Sequence, residues 1–254
     1  MQSAGCLRCA HCCGKFKMKN LILVGHRGAR ALAPENTWSG FMTAVSLGLS
    51  MIELDVHLSK DGVVVVMHDE TVNRCSNGRG MIENKSWASL QKLDVGLWFG
   101  KRFAGERMPL LRDILTHLPH AVTVMIEIKH QSTQARTKAL AKAVLAVVKE
   151  TRAEQRSILA SSNYRCLKSL GKIQVLRCFI YSQPKRLPPA LADGFKAIDA
   201  FSWNSELWDA VLAAKLRKLK KQFYVWTIND PKQVGLWKKR GMRGLITDSP
   251  QIFV

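Results

Sequence analysis

Carboxylates occur inside two of the apolar segments of this 254-residue chain. Glu53 and Asp55 lie in a run that begins at Met51, and Glu127 follows a second run at 122–126. A carboxylate in apolar surroundings is costly unless a metal ion or an opposite charge meets it. Three such acids, with no cysteine among them, favour a hard divalent cation such as Mg²⁺, Ca²⁺ or Mn²⁺ over structural zinc.

Two histidines and two cationic side chains accompany these acids. His26 and Arg27 end the first apolar run; Lys129 comes two residues after the third acid, and His68 directly follows the run 63–67. Imidazoles titrate near neutrality and can act as general acid and base, each typically contributing about 10²–10⁴-fold. Arg and Lys can contact phosphate oxygens and stabilise the charge that develops there. The set predicts a cation site that cleaves a phosphate ester.

The elements that position these residues alternate between strand-like runs and segments of helix length. Strands are predicted at 21–25, 51–56, 122–128, 157–161, 175–180, 197–201, 222–227 and 243–247. Eight strand–helix units in a chain of this length predict an α/β fold, the (β/α)₈ or TIM barrel. A doubly wound open sheet is the alternative, although no glycine-rich nucleotide motif follows a strand.

Three helices are predicted from the spacing of apolar residues and from end signals. They cover 134–150, 206–219 with Ser205 as N-cap, and a segment opened by Asp230-Pro231. The apolar face of the second comprises Trp208, Val211, Leu212, Leu216 and Leu219.

A ninth apolar run, Val63 to Met67, follows the second strand too closely for a parallel crossover, so an antiparallel hairpin is predicted. The segment from about 69 to 110 is too long for a simple loop. We expect a small lobe, inserted after the second barrel strand and lying over the strand ends.

Active sites of such barrels lie at the carboxyl ends of the strands. Glu53 and Asp55 stand two residues apart and project from one face of their strand, and Glu127 and Lys129 repeat this spacing. We therefore expect one concave site to receive the acids, the cations and both histidines.

The motifs, taken in order, resemble those of the glycerophosphodiester phosphodiesterase family, and the likeness covers roughly 21–250. They are Gly25-His26-Arg27-Gly28, Pro34-Glu35-Asn36-Thr37, Glu53-Leu54-Asp55, Ser59-Lys60-Asp61-Gly62, His68-Asp69, Ser76-Asn77-Gly78, Pro109-Leu110, Glu127-Ile128-Lys129, Trp226-Thr227-Ile228-Asn229 and Thr247-Asp248. The overall likeness is greatest to the small cytoplasmic bacterial enzymes. Asn163 stands where the family often has an aromatic residue, and 181–200 matches weakly.

The resemblance implies a TIM barrel with a small inserted lobe and a role for each matching residue. It places one divalent cation on Glu53, Asp55 and Glu127, assigns catalysis to His26 and His68, and assigns substrate contacts to Arg27, Lys129 and Trp226. One histidine would deprotonate the glycerol C2 hydroxyl, which attacks phosphorus, while the other protonates the leaving alcohol. Water would then open the cyclic phosphate, giving glycerol 3-phosphate and an alcohol such as choline or ethanolamine.

The composition of the chain limits the kinds of partner that it is expected to bind. A net charge of +20 and a pI near 10.0 imply attraction to anions. We interpret the basic runs near 215–221 and 238–243 as solvated helix ends, which permits weak electrostatic contact with anionic membranes. We expect a small-molecule substrate, no specific nucleic acid and no membrane span, since no stretch approaches about 18 apolar residues.

The chain has seven cysteines, of which Cys75, Cys166 and Cys178 are scattered singly. This pattern, with the absence of an apolar secretory signal, favours a cytoplasmic location. Residues 1–20 are expected to form a disordered, cysteine-rich extension before a barrel at 21–254. Metal binding by its cluster is the alternative. The cluster comprises Cys6, Cys9, His11, Cys12 and Cys13.

Two other functions fit parts of the sequence. A lysophospholipase D would use the same site on a lipid, but no amphipathic apolar anchor is evident. A non-catalytic anion-binding barrel would suit the charge, but binding phosphate alone needs no acid–base pair.

Overall fold

The computed structural model describes residues 21–254, so the cysteine cluster lies outside the described residues. The strands within that range are β1 (Ile22–Gly25), β2 (Met51–Leu58), β3 (Val64–Val66), β4 (Thr123–Ile128), β5 (Ser157–Ser161), β6 (Leu176–Tyr181), β7 (Ala200–Asn204), β8 (Gln222–Trp226) and β9 (Gly244–Thr247). The helices are α1 (Trp38–Ser46), α2 (Trp87–Leu90), α3 (Leu111–His117), α4 (Gln134–Glu150), α5 (Tyr164–Ser169), α6 (Pro188–Ala192), α7 (Ala210–Lys218) and α8 (Val234–Lys239). Short 3₁₀ turns complete several of the connections.

Eight parallel strands close into a barrel. The order around it is β1, β2, β4, β5, β6, β7, β8 and β9, and β1 pairs in parallel with both β2 and β9. The predicted TIM barrel is therefore confirmed, and the open sheet is excluded. β3 pairs antiparallel with β2, with Val66 opposite Val56, as the short 59–63 connection requires.

One predicted strand is displaced along the chain. The prediction at 197–201 is wrong by three residues, since β7 begins at Ala200. Ile198 is fully buried, but it lies in the turn before the strand and packs in the same cluster as Phe201. An apolar pattern in a sequence indicates buried residues, and here the buried residues begin before the strand does.

The predicted start of the seventh helix is also wrong. Ser205 opens a 3₁₀ turn, and the N-cap of α7 is Asp209, whose carboxylate accepts a hydrogen bond from the Leu212 amide at 2.9 Å. Leu212 and Leu216 are buried as predicted, whereas Val211 is 81% exposed. Val211 lies about 100° around the helix from Leu212, so the predicted apolar face was too wide. In contrast, α4 spans 134–150 as predicted, with Thr133 as N-cap.

The inside of the barrel changes character along each strand. Side chains two residues apart point inward together. On β2 the inward series runs from Met51 to Glu53 and Asp55, and on β4 it runs from Met125 to Glu127. The apolar members near the amino ends pack into one cluster that fills the interior of the barrel beneath the site. The polar members therefore lie at the carboxyl ends of the strands.

The predicted lobe packs beside the β2–β3 hairpin around an apolar cluster of its own, which includes Met67, Ile82 and Leu90. A further tie to the barrel is made by Glu106, which accepts hydrogen bonds from the amide and hydroxyl of Ser39 on α1. Among residues 21–254, no helix has the length and apolar character needed to cross a membrane.

Candidate active site

A cavity of about 580 Å³ opens at the carboxyl ends of the barrel strands. Of the eight site residues predicted from the sequence, seven line it. The eighth, Asp55, lies beneath the surface with 1% of its area exposed. Trp226, at the end of β8, forms an apolar part of the wall together with Ile180 and Ile246.

The three acids converge on one point. One oxygen each of Glu53, Asp55 and Glu127 lies within 4.8 Å of the others. Carboxylate oxygens at this spacing match the donor set of a hard divalent cation, and the group could hold a metal ion. Lys129 closes one side, with its Nζ 2.8 Å from Asp55 Oδ1 and 2.9 Å from Glu127 Oε1.

The electrostatics of the cluster favour an added positive charge. Burial raises the pKa of Glu53 well above its usual value, and the neighbouring charges of Asp55 and Glu127 raise it further. Burial likewise raises the pKa of Glu127. Burial also acts on Asp55, but Lys129 and Arg27 outweigh it and hold the pKa of Asp55 well below its usual range. Since one lysine and one arginine face three acids, a divalent cation would relieve the repulsion between them.

Each of the two histidines has a carboxylate on its Nδ1 atom. His26 Nδ1 lies 2.6 Å from Asp248 Oδ1, and His68 Nδ1 lies 2.7 Å from Asp69 Oδ1. A carboxylate on Nδ1 fixes the ring and leaves Nε2 as the nitrogen available to a substrate. Burial lowers the pKa of both imidazoles, and it outweighs the carboxylate partners, which act in the opposite direction.

Asp248 is itself held in place by a neighbouring loop. The side-chain amide of Asn229 donates to Asp248 Oδ2 at 3.2 Å, and Asn229 Oδ1 accepts from the backbone N–H of Asp248 at 2.9 Å. Despite burial, the hydrogen bond from His26 lowers the pKa of Asp248 to about 2. In the sequence these two residues are identified only as parts of family motifs. Their contact with His26 joins positions 222 residues apart.

The turn after β1 positions both His26 and Arg27. Arg27 and Gly28 have left-handed φ angles of +53° and +86°. A Cβ on Gly28 would lie 2.6 Å from the backbone carbonyl of Gly40, so this crossing with α1 requires glycine. The Arg27 amide then donates to Glu53 Oε2 at 2.9 Å.

Arg27 belongs to a buried ion network that includes the predicted metal ligands. Its Nη1 donates to Glu35 Oε1 at 2.8 Å, and its Nε lies 3.4 Å from Asp55 Oδ2. Arg74, from the lobe, donates to both oxygens of Glu35 and also contacts Asp69. The network therefore couples the barrel, the lobe and the carboxylate partner of His68.

Replacing Glu35 with glutamine is expected to lower the free energy of unfolding at pH 7 by about 3 kcal/mol, because the buried Arg27 loses a charged partner. Burial opposes ionisation of Glu35, but Arg74 and Arg27 lower its pKa to about 2. The contribution is therefore full above the unfolded pKa near 4.3 and is lost as the pH falls toward 2. Urea unfolding of wild type and E35Q at pH 7 and pH 3 measures both values. Equal stabilities at pH 7 would contradict the prediction.

Two residues that the sequence reasoning missed support the acids and His68. The Asn36 amide donates to Asp55 Oδ2 at 2.8 Å. His57 continues the inward series of β2 beyond Asp55; its Nε2 donates to the His68 carbonyl at 3.1 Å, and its Nδ1 accepts from the Gln131 amide at 3.0 Å. Burial lowers the pKa of His57 to about 4, so the ring is neutral near pH 7 and can donate from one nitrogen while it accepts at the other. The two-residue period was the signal that could have identified it.

Comparison with known proteins matches this arrangement to one family. The sequence profile described as "Glycerophosphoryl diester phosphodiesterase family" matches residues 26–252. The chain is 32% identical over 243 residues to a glycerophosphodiester phosphodiesterase of Caldanaerobacter subterraneus subsp. tengcongensis, covering 93% of this chain and 97% of that protein. The chain belongs to the glycerophosphoryl diester phosphodiesterase family.

Solved structures agree with the family assignment. A glycerophosphodiester phosphodiesterase from Agrobacterium tumefaciens superposes with a TM-score of 0.76 at 28% identity, covering 92% of this chain and 98% of that one. A phosphodiesterase from Oleispira antarctica, solved with sn-glycerol-3-phosphate, shares the fold with a TM-score of 0.81 at 24% identity, covering 91% and 94%. The expectation of a phosphoric diester hydrolase on a TIM barrel is thus confirmed.

One position noted as a departure from the family pattern lies outside the main cavity. Asn163 is the N-cap of α5, where its side chain accepts a hydrogen bond from the Cys166 amide. Ser162 lines the main cavity at this point instead, while Asn163 lines a smaller cavity beside it.

Proposed function

We propose that this phosphodiesterase hydrolyses small glycerophosphodiesters, such as glycerophosphocholine or glycerophosphoethanolamine, to glycerol 3-phosphate and an alcohol. Catalysis would use His26 and His68 as general acid and base, with one divalent cation on Glu53, Asp55 and Glu127. The supporting observation is that two carboxylate-bound imidazoles and a cationic–acidic cluster line one cavity. The product held by the Oleispira antarctica phosphodiesterase agrees with this reaction.

The residues divide the work according to their positions. Arg27 and Lys129 would contact the phosphate oxygens and stabilise the charge that develops on them. Either imidazole can present Nε2. One would take the proton of the glycerol C2 hydroxyl as it attacks phosphorus, and the other would protonate the leaving alcohol. Water would then open the resulting cyclic phosphate to give glycerol 3-phosphate. When bound, the cation supplies Lewis-acid stabilisation of the phosphate oxygens. Trp226 would pack against the substrate carbons and exclude water from that side.

We infer that the cation is Mg²⁺, Ca²⁺ or Mn²⁺, since the donor set is entirely oxygen. We also infer a cytoplasmic role in the turnover of deacylated lipid headgroups. Cys75, Cys166 and Cys178 are buried free thiols, which suits a reducing compartment.

The identity of the products tests the proposed reaction. With Mg²⁺, Ca²⁺ or Mn²⁺ supplied in turn, glycerophosphocholine is expected to yield glycerol 3-phosphate and choline, measured by coupled enzymatic assay and mass spectrometry. In the proposed mechanism the glycerol C2 hydroxyl attacks phosphorus, so the bond between phosphorus and the choline oxygen breaks. Release of glycerol and phosphocholine would contradict this assignment, and so would a failure to turn over any small glycerophosphodiester with any of the three cations.

A further inference from the structure

The wall of the catalytic cavity that faces His26 carries a positive charge. β6 stands four strands from β1 around the barrel, so the turn that follows β6 lies across the cavity from the turn that follows β1. Arg186 ends the 3₁₀ turn after β6 and lines the cavity. None of the motifs that carry the family resemblance includes it.

The guanidinium of Arg186 is held toward the cavity without neutralisation. Its Nη1 donates to the hydroxyl of Ser162, which follows β5 and lines the same cavity. Within residues 21–254, Arg186 forms no ion pair, whereas Arg27 and Lys129 are each paired with two acids. Arg186 therefore retains its charge for a ligand.

The cavity continues outward at this wall. A second cavity of about 260 Å³ shares Ser162, Arg186 and His130 with the first and extends over the loops that follow β4 and β5. Arg165 and Asn163 line its outer part, and no acidic residue lines it among the described residues. This extension offers cations, hydroxyls and amides, but no counter-charge for a cationic group.

The acidic residues that line the main cavity outside the metal cluster are Asp69 and Glu70, at the start of the lobe. Asp69 is bonded to His68 and Arg74, so its charge is already neutralised. Glu70 is exposed; it lines the main cavity and a small pocket with Glu83 on the lobe, but it does not line the extension at Arg186. A choline or ethanolamine cation at the Arg186 wall would therefore meet repulsion and no partner.

We propose that Arg186, with Ser162 and Arg165, forms a subsite for the departing alcohol, and that it selects alcohols that bear an anionic group such as a second phosphate. The glycerol moiety has only three carbons, and its C2 hydroxyl must stay beside the reacting phosphate. The variable alcohol is therefore the part of the substrate that can extend toward Arg186. This inference rests on the proposed function and names the substrate class that the site prefers.

Three substrates that share the glycerol end test the subsite. They are glycerophosphoinositol 4-phosphate, which adds an anion; glycerophosphoinositol, which adds hydroxyls alone; and glycerophosphocholine, which adds a cation. For wild type, kcat/KM is expected to be highest for the phosphorylated substrate and lowest for the choline diester. R186Q is expected to lower the ratio of the first to the last by about tenfold or more, since a hydrogen-bonded charge pair is lost. R165Q is expected to lower it less, because Arg165 is more exposed.

A matched control is the adjacent cation. Lys185 is exposed and does not line the cavity, so K185Q is expected to keep the wild-type ratio. Equal ratios in R186Q and K185Q would overturn the subsite, and so would a wild-type preference for glycerophosphocholine. Failure of the proposed function has a different signature, because none of the three diesters would then be turned over by the wild-type enzyme.

Discussion

His26→Ala and His68→Ala are each expected to lower kcat for glycerol 3-phosphate release by about 10²–10⁴-fold. Each removes the imidazole whose Nδ1 is bonded to a carboxylate and whose Nε2 is left for proton transfer. The double variant is expected to lose little beyond the worse single variant, because the acid and the base act as a unit. Single-turnover and steady-state rates with glycerophosphocholine would measure the effects.

His120→Ala is the matched control, because His120 is exposed and does not line the cavity. We expect its kcat to equal that of wild type. Near-ultraviolet circular dichroism should show the native fold in all variants. Should H26A and H68A turn over at the rate of H120A, the acid–base assignment would be wrong.

The predicted part of the site consists of residues that stand two apart on a strand. Glu53 and Asp55 share a face of β2, and Lys129, directly after β4, continues the face that carries Glu127. The two-residue period of a strand therefore points the two members of each pair in the same direction. Once the strand count indicated a barrel, the carboxyl ends of β2 and β4 had to meet at one rim. This is why the acidic cluster was predictable from the sequence.

The supporting contacts were not predictable in the same way. Asp248 reaches His26 only because β9 closes onto β1, and Glu35 reaches Arg74 only because the lobe folds back over the first loop. Such contacts depend on how loops are placed, which has no periodic signature. Arg186 belongs to the same class, since its 3₁₀ turn follows a strand end with no motif.

The surface charge separates spatially from the site. The two basic runs fall at the carboxyl ends of α7 and α8. These ends precede β8 and β9, so they lie at the amino ends of the strands, opposite the cavity. Arg240 there stacks over the rings of Trp208 and Trp237, at 4.6 and 4.7 Å from the ring centroids. These two basic runs therefore lie away from the cavity, in which the substrate would meet Arg27, Lys129 and Arg186.

Glu53→Gln is expected to change the enzyme in two opposite directions. Burial and the charges of Asp55 and Glu127 disfavour ionised Glu53, so the neutral isostere should unfold at an equal or higher temperature than wild type in EDTA. A divalent cation at a hundred times its Kd should add about 2.7 kcal/mol to the free energy of unfolding of wild type and so raise its unfolding temperature. The same cation should leave the unfolding temperature of E53Q nearly unchanged. Turnover of glycerophosphocholine should stop in EDTA for wild type and should stay at least about 10³-fold lower in E53Q at the same cation concentration.

The combination separates loss of a metal ligand from loss of structure, because a merely misfolded variant would melt lower in EDTA. Glu206→Gln is the matched control, since Glu206 is exposed and does not line the cavity, and it should respond to the cation as wild type does. If E53Q kept the full cation-induced shift in unfolding temperature, the cation would bind elsewhere. The acidic cluster would then not act in catalysis through a bound cation, and the three convergent acids would need another explanation.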